Sequence, residues 1–219
     1  GSPDRAIFIQ THRAAGYGIV LVLLWKTGNI LLSLRGRRSA APRAASLVLL
    51  AALLTTLTLG YVWAFAGPYY FVLFSGVSWH IYTGAALVPV LVWHSLYHTR
   101  FFPIRRWADR RTFLRLAGLA VAGFALWQTG ERGARLLGLS GADRRFTGSY
   151  EALRRADGGF PVVSWLNDRP APVDAANWTL AVDGAVEHPR VLRFEELAGD
   201  AEVTATIDCT GGWHSTQVW

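Results

Sequence analysis

Residues 44–99 run for 56 positions without a single Asp, Glu, Lys or Arg. Soluble domains carry roughly a quarter of their residues as charges, so a charge-free stretch of this length is not part of one. It is long enough for two helices of ~20 residues to cross a hydrocarbon core. The wider hydropathy pattern gives four apolar segments, at 14–34, 44–66, 77–97 and 112–129. The fourth is the shortest, because only 14 residues separate Arg115 from Gly130, and Arg115 must snorkel along its own stem to reach water. The expectation is an α-helical membrane bundle of four transmembrane helices over residues 1–133.

Charge divides the chain at the same place. Residues 1–133 hold 14 Lys/Arg against 3 Asp/Glu, and residues 134–219 hold 8 against 12. The loop after the first segment carries Arg35, Arg37, Arg38 and Arg43, and the loop after the third carries Arg100, Arg105, Arg106, Arg110 and Arg111. The positive-inside rule makes both loops cytoplasmic and puts everything after the fourth segment outside the cytoplasm. Trp63, Tyr69, Tyr70, Trp79 and Trp127 then fall at the outer interface, and Trp93, Tyr97, Phe101 and Trp107 at the inner one. Membrane lipid is the expected environment. Nucleic acid is not an expected partner, since the basic residues serve the cytoplasmic loops and the outer region is acidic. One cysteine excludes a disulfide scaffold. A chain without methionine that opens at Gly1 and stops at Trp219 reads as a piece of a longer protein, and its first 13 residues lack a secretory signal.

Histidines give the membrane half its chemistry. His80, His94 and His98 lie on the third segment, and at ~100° per residue His98 returns to the face of His80, with His94 about 40° away. The rise from His80 to His94 is about 21 Å, the spacing of two metal centres near opposite sides of a core about 30 Å thick. Imidazoles at such depths are costly and turn to the bundle interior. Pro89 lies between them, and Gly84 removes a side chain that would crowd a flat macrocycle. His12, just ahead of the first segment, matches the depth of His80, so the two can ligate one haem from opposite faces. An inner haem at His94 or His98 has no evident partner, and for His98 an interfacial role stands equally open. Lys26 and Asn29 are further intramembrane polar groups, open to a propionate, a quinone or a neighbouring helix. The run Trp79-His80-Ile81-Tyr82-Thr83-Gly84 with Trp93-His94 and His98 resembles the haem-bearing helix of b-type cytochrome membrane domains, of the cytochrome b561 and formate dehydrogenase cytochrome subunit kind. That resemblance implies bis-histidine haem b and electron transfer in the membrane.

After a connector at 134–145, residues 146–219 read as a Gly/Pro-punctuated, mainly β region. Trp178, Leu180 and Val182 alternate with polar or small residues, a turn signal follows at Asp183-Gly184, and Val203, Ala205 and Ile207 alternate again. One short helix is expected at 194–197. The second strand runs into Cys209-Thr210-Gly211-Gly212-Trp213-His214, a thiol at a strand end before two glycines that let backbone approach a bound group. This is a ligand or nucleophile position, with a buried, inert cysteine as the alternative.

The segments Phe160-Pro161-Val162-Val163-Ser164-Trp165-Leu166-Asn167-Asp168, Trp178-Thr179-Leu180-Ala181-Val182-Asp183-Gly184 and Ile207-Asp208-Cys209-Thr210-Gly211-Gly212-Trp213 resemble the opening of the sulfite-oxidase-type molybdopterin domain. That resemblance implies an α+β molybdopterin (molybdenum cofactor) domain, present here in its N-terminal part, with Cys209 as the thiolate on molybdenum. It also implies cofactor contacts at Asn167, Asp168, Thr210, Gly211, Gly212 and His214, with an exposed loop histidine as the other reading of His214. The chain departs from the family at Leu-Asn-Asp-Arg-Pro, where only Asn167 matches directly. The expected activity is a membrane-bound molybdenum oxidoreductase acting on a small-molecule substrate of the sulfite or sulfoxide class, with haem b passing electrons to or from a quinone or redox protein. Two other readings stay open: a transmembrane cytochrome whose outer region only docks a partner, and a non-catalytic membrane anchor.

Overall fold

A computed structural model describes residues 6–35, 40–72, 74–99, 109–152, 160–161, 171–197, 199 and 201–219. Among the described residues, four long helices make up the first part: α1 (Ile7–Arg35), α2 (Ala40–Ala66), α3 (Gly76–Thr99) and α4 (Arg110–Leu136). Each contains one apolar segment of the sequence and extends past it, since helix is the form that pairs every backbone group within its own segment. Three of them, over Ile7–Leu32, Arg43–Ala66 and Gly76–Leu96, are long and apolar enough to cross a membrane. α4 falls short, because Arg110, Arg111 and Arg115 load its first turns and Glu131, Arg132 and Arg135 its last. Four helices were expected as spans, and three have a spanning composition.

The helices associate as two pairs, α2 along α3 and α1 along α4, with α1 and α2 meeting at few points. Small residues set the closeness. A Cβ on Gly123 of α4 would lie 2.7 Å from the Ala14 carbonyl oxygen and 3.1 Å from Gly18 N on α1, so those two backbones touch. Between α2 and α3, a short hairpin of β1 (Tyr70–Phe71) and β2 (Phe74–Ser75) turns the chain. Ser75 then caps α3: its Oγ accepts from the Ser78 amide at 3.3 Å and lies 3.0 Å from the Ser78 hydroxyl, both side chains being fully buried. An N-cap of this kind satisfies one of the orphan amides at a helix start.

Beyond α4 come a 3-10 turn at Ser140–Asp143 and five strands: β3 (Tyr150–Glu151), β4 (Thr179–Val182), β5 (Arg190–Arg193), β6 (Thr204–Cys209) and β7 (Trp213–Val218). β3, β7 and β6 form one sheet in that order, β3 parallel and β6 antiparallel to β7, while β4 and β5 pair as a separate antiparallel hairpin. The two alternating stretches of sequence are thus both strands. The short helix expected at 194–197 is one 3-10 turn, Phe194–Leu197.

This region places its buried groups against the helices. The last four carbonyls of α2 have no partner within the helix, and the C-terminal part supplies donors to three of them. The Tyr150 hydroxyl donates to Trp63 O, Arg144 Nη1 to Ala64 O, and the Ser140 hydroxyl to Ala66 O. A guanidinium there also suits the negative end of the helix dipole. Arg144 pairs in addition with Glu131 of α4, whose carboxylate accepts from Trp127 Nε1 at 3.1 Å. Trp63 and Trp127, expected in an interfacial belt, are buried at 6% and 7% exposure. For Trp63 the cause is the C-terminal region, which brings Gly148, Tyr150 and Gly212 against its ring.

Candidate functional site

His80 sits in the second turn of α3, and its Nδ1 lies 2.8 Å from the Thr56 carbonyl oxygen of α2. A carbonyl only accepts, so Nδ1 carries the proton and donates, and the lone pair is on Nε2. This is the arrangement that orients a metal-ligating imidazole. The ring reaches that position because α2 has no side chain at residue 60: a Cβ on Gly60 would lie 3.0 Å from His80 Cε1 and 3.1 Å from Nδ1. Gly84, by contrast, faces α2, where a Cβ would meet Thr56 Cγ2 at 3.8 Å. The glycine that makes room for the imidazole is Gly60.

His12 comes in from α1. The rings of His12 and His80 have their centres 5.7 Å apart and their planes at 77°. Two imidazoles on opposite sides of one metal ion, at bonds of ~2 Å, have centres about 6 Å apart, a separation close to the one seen here. The next residue, Arg13, donates from Nη2 to Phe146 O at 3.3 Å, which brings a cation between the histidine pair and the C-terminal region. At the far end of α3, His94 is half-buried. His98 belongs to the described helix, and its side chain lies outside the described residues. Lys26 and Asn29 are exposed on α1.

Cys209 ends β6 and is followed by the turn Thr210-Gly211-Gly212 into β7. The thiol is half-buried, and its sulfur accepts from the Gly211 amide at 3.3 Å. Gly212 has φ +93°, and its amide closes the turn on Cys209 O at 3.0 Å. Cys209 and Trp213 are register partners, so sulfur and indole project from the same face of the hairpin. Trp213 is 9% exposed, and its Nε1 has no hydrogen-bond partner among the described residues. A buried orphan donor beside a half-exposed thiol is a fitting setting for a bound group rich in acceptors. Tyr70 reaches the site from β1, and its phenol is pushed up by partial burial and by the neighbouring Cys209 sulfur.

His214 is on the opposite face of β7, paired in register with Asp208. There His214 Nδ1 lies 3.1 Å from Ser149 Oγ, the Thr147 hydroxyl donates to Asp208 Oδ2 at 2.8 Å, and Arg145 Nε lies 3.2 Å from the same oxygen. Those contacts hold the strands that carry the turn. The cofactor role expected for His214 from sequence meets a side chain on the face away from Cys209. Thr210 is exposed, Gly211 and Gly212 are buried, and Asn167 and Asp168 lie outside the described residues.

Sequence reasoning passed over the groups that join the two sites. A Cβ on Gly212 would lie 2.5 Å from Trp63 Cζ2 and 2.9 Å from Val77 Cγ1. The Cys209 turn therefore rests on α2 and α3 together. Trp63 is fixed there by its own Nε1, which donates to Gly148 O at 2.9 Å, and by edge contacts with Tyr150 and Tyr69 at 5.2 and 6.0 Å. Thr56 and Gly60, small residues four apart on α2, form a spacing common where helices approach closely, a signal present in the sequence and not singled out there. No family model, no curated protein and no solved structure matches this chain.

Proposed function

We propose that this chain is the membrane part and the opening of the catalytic part of a molybdenum-cofactor oxidoreductase. In this reading Cys209 supplies the thiolate to molybdenum, a soft ligand suited to such a metal, and His12 with His80 holds haem b. The cofactor supplies two-electron oxo chemistry toward a small sulfite- or sulfoxide-like substrate, and the haem exchanges single electrons with a quinone or redox protein. The chain's own contribution is to hold both groups at one end of the helices. α4 completes four spans, the arginine-rich loops face the cytoplasm, and the sheet, of sulfite-oxidase type, lies on the other side.

The observation that carries the reading is the seating of the Cys209 turn. Val77, which touches it, is three residues from His80 on α3, and Trp63, which also touches it, is three residues from Gly60 on α2. Three residues rise about 4.5 Å. One layer of side chains separates the thiol turn from the imidazole pair, a short path for electrons.

Iron and molybdenum contents of the purified protein, with its reduced-minus-oxidised absorption spectrum, test this. Both metals and a b-type spectrum are expected. Iron without molybdenum would replace the reading by a transmembrane cytochrome whose C-terminal region docks a partner. A colourless, metal-free protein would leave only a membrane anchor with histidines as packing residues.

A further inference from the structure

We infer that the indole of Trp63 is the contact through which electrons pass between the Cys209 site and the His12–His80 pair. This inference rests on the proposed function. Three facts of the geometry point to it. The first is contact: Trp63 lies directly beneath Gly212, close enough that a single added carbon there would overlap its Cζ2 and Cη2. The second is alignment. Thr56, Gly60 and Trp63 stand four and three residues apart on α2, hence on one face; Thr56 O accepts from His80, and Gly60 packs on the same ring. One stripe of α2 thus touches the imidazole at its lower end and the cysteine turn at its upper end. The third is enclosure. Trp63 is 6% exposed, with Tyr150 and Tyr69 against its ring, so no water layer interrupts the path.

The step moves one electron and no proton. The group held by Cys209 would give or take one electron per transfer and the iron held by His12 and His80 would take or give it, so that two transfers match one two-electron turnover, and a quinone or quinol would close the balance with two electrons and two protons. Coupling of this kind runs through contiguous packed groups, and Val77, the other residue under the turn, offers only an aliphatic contact.

Cys209 is the single cysteine of the chain, which makes the test site-specific. The full protein, carrying haem and made without molybdenum, is labelled at Cys209 with a thiol-reactive ruthenium–bipyridine complex. A flash in the presence of a sacrificial aniline donor, which leaves the haem ferric in the dark, injects one electron from the label, and reduction of ferric haem is followed by transient absorption. Trp63→Phe and Trp63→Leu both delete the Nε1 bond to Gly148, so their comparison isolates the aromatic ring. Trp63→Leu is expected to slow haem reduction about tenfold or more, a void of ring contacts being left beneath the turn, while Trp63→Phe stays close to the native rate. The static haem spectrum should not change in either. Equal rates in native and Trp63→Leu protein, or equal slowing in both variants, would overturn the role of the ring while leaving the haem in place. A native protein without haem absorption would overturn the proposed function and this inference with it.

Discussion

Gly212→Ala isolates the interlock between the cysteine turn and the helices. Two costs arise. The first is conformational: an alanine at φ +93° leaves the region open to L-residues and costs roughly 1–2 kcal/mol. The second is steric. The new methyl would stand 2.5 Å from Trp63 Cζ2, 2.8 Å from Cη2 and 2.9 Å from Val77 Cγ1, against an optimum of about 3.5–4.0 Å between carbons. Trp63 is unable to yield, being bonded to Gly148 O and wedged by Tyr150 and Tyr69. The turn must therefore lift by roughly 1 Å, at an overpacking cost of about 1–3 kcal/mol. Gly184→Ala is the control, since Gly184 has φ +86° and nothing within 4 Å of a Cβ, and it bears the first cost alone. The difference between the two variants raises the population of lifted turns by about 5–150-fold. Alkylation of the single thiol by iodoacetamide reads that population directly, and thermal unfolding in detergent reads the stability. Equal alkylation rates and equal melting shifts in the two variants would refute the claim that Gly212 is packed against α2 and α3.

Cys209→Ser should abolish turnover and molybdenum retention while the reduced-haem spectrum persists; retained turnover sinks the ligand assignment. His80→Ala and His12→Ala should each remove the b-type spectrum, and a spectrum unchanged in either shows that the residue is no ligand. Glu131→Gln leaves the buried guanidinium of Arg144 without its charge partner, a loss of about 3–5 kcal/mol, to be read as a lowered melting temperature; a shift no larger than that of an exposed substitution argues against the pair. Burial raises the phenol of Tyr150, and burial likewise raises Tyr69. Neutral phenol is the bonded form, so stability from this contact is complete below pH ~10 and is lost as pH climbs through the raised folded value. Melting temperatures between pH 8 and 11 should fall less steeply in Tyr150→Phe than in the native chain.

Periodicity and charge made the helices legible, because a backbone in lipid has few options and apolar length reports on them directly. The fourth helix was legible as a helix and not as a span, since Arg115 and the charges flanking it pull in opposite directions on the two questions. Both alternating stretches became strands, and the cysteine fell at the end of β6, just before the turn into β7, as paired glycines after a strand suggest. The pairing of His12 with His80 rested on matched depth alone, which a shared approach to one end of the bundle preserves. Contacts between residues distant in sequence stayed hidden. Trp63 looked like an interfacial aromatic, and only the arrival of Gly148, Tyr150 and Gly212 from the far side makes it an interior one. His214 looked like a neighbour of Cys209 in the motif, yet strand alternation sends it to the other face, and that depends on where the turn closes. Gly60 carried no signal of its own, because its partner is the ring of a residue 20 positions away.

The carbonyls at the end of α2 find their donors in Tyr150, Arg144 and Ser140, which ties the folding of the two parts together. The turn at Gly212 rests on Trp63 and Val77 at once, so its seat is complete only when α2 and α3 stand side by side. Released by proteolysis or expressed alone, the C-terminal region would lose the acceptors of Tyr150, Arg144 and Ser140, while the β6–β7 pairing and the stacking of Phe160 on Trp213 stay within it. The α2–α3 pair thus serves the described C-terminal residues as a docking template.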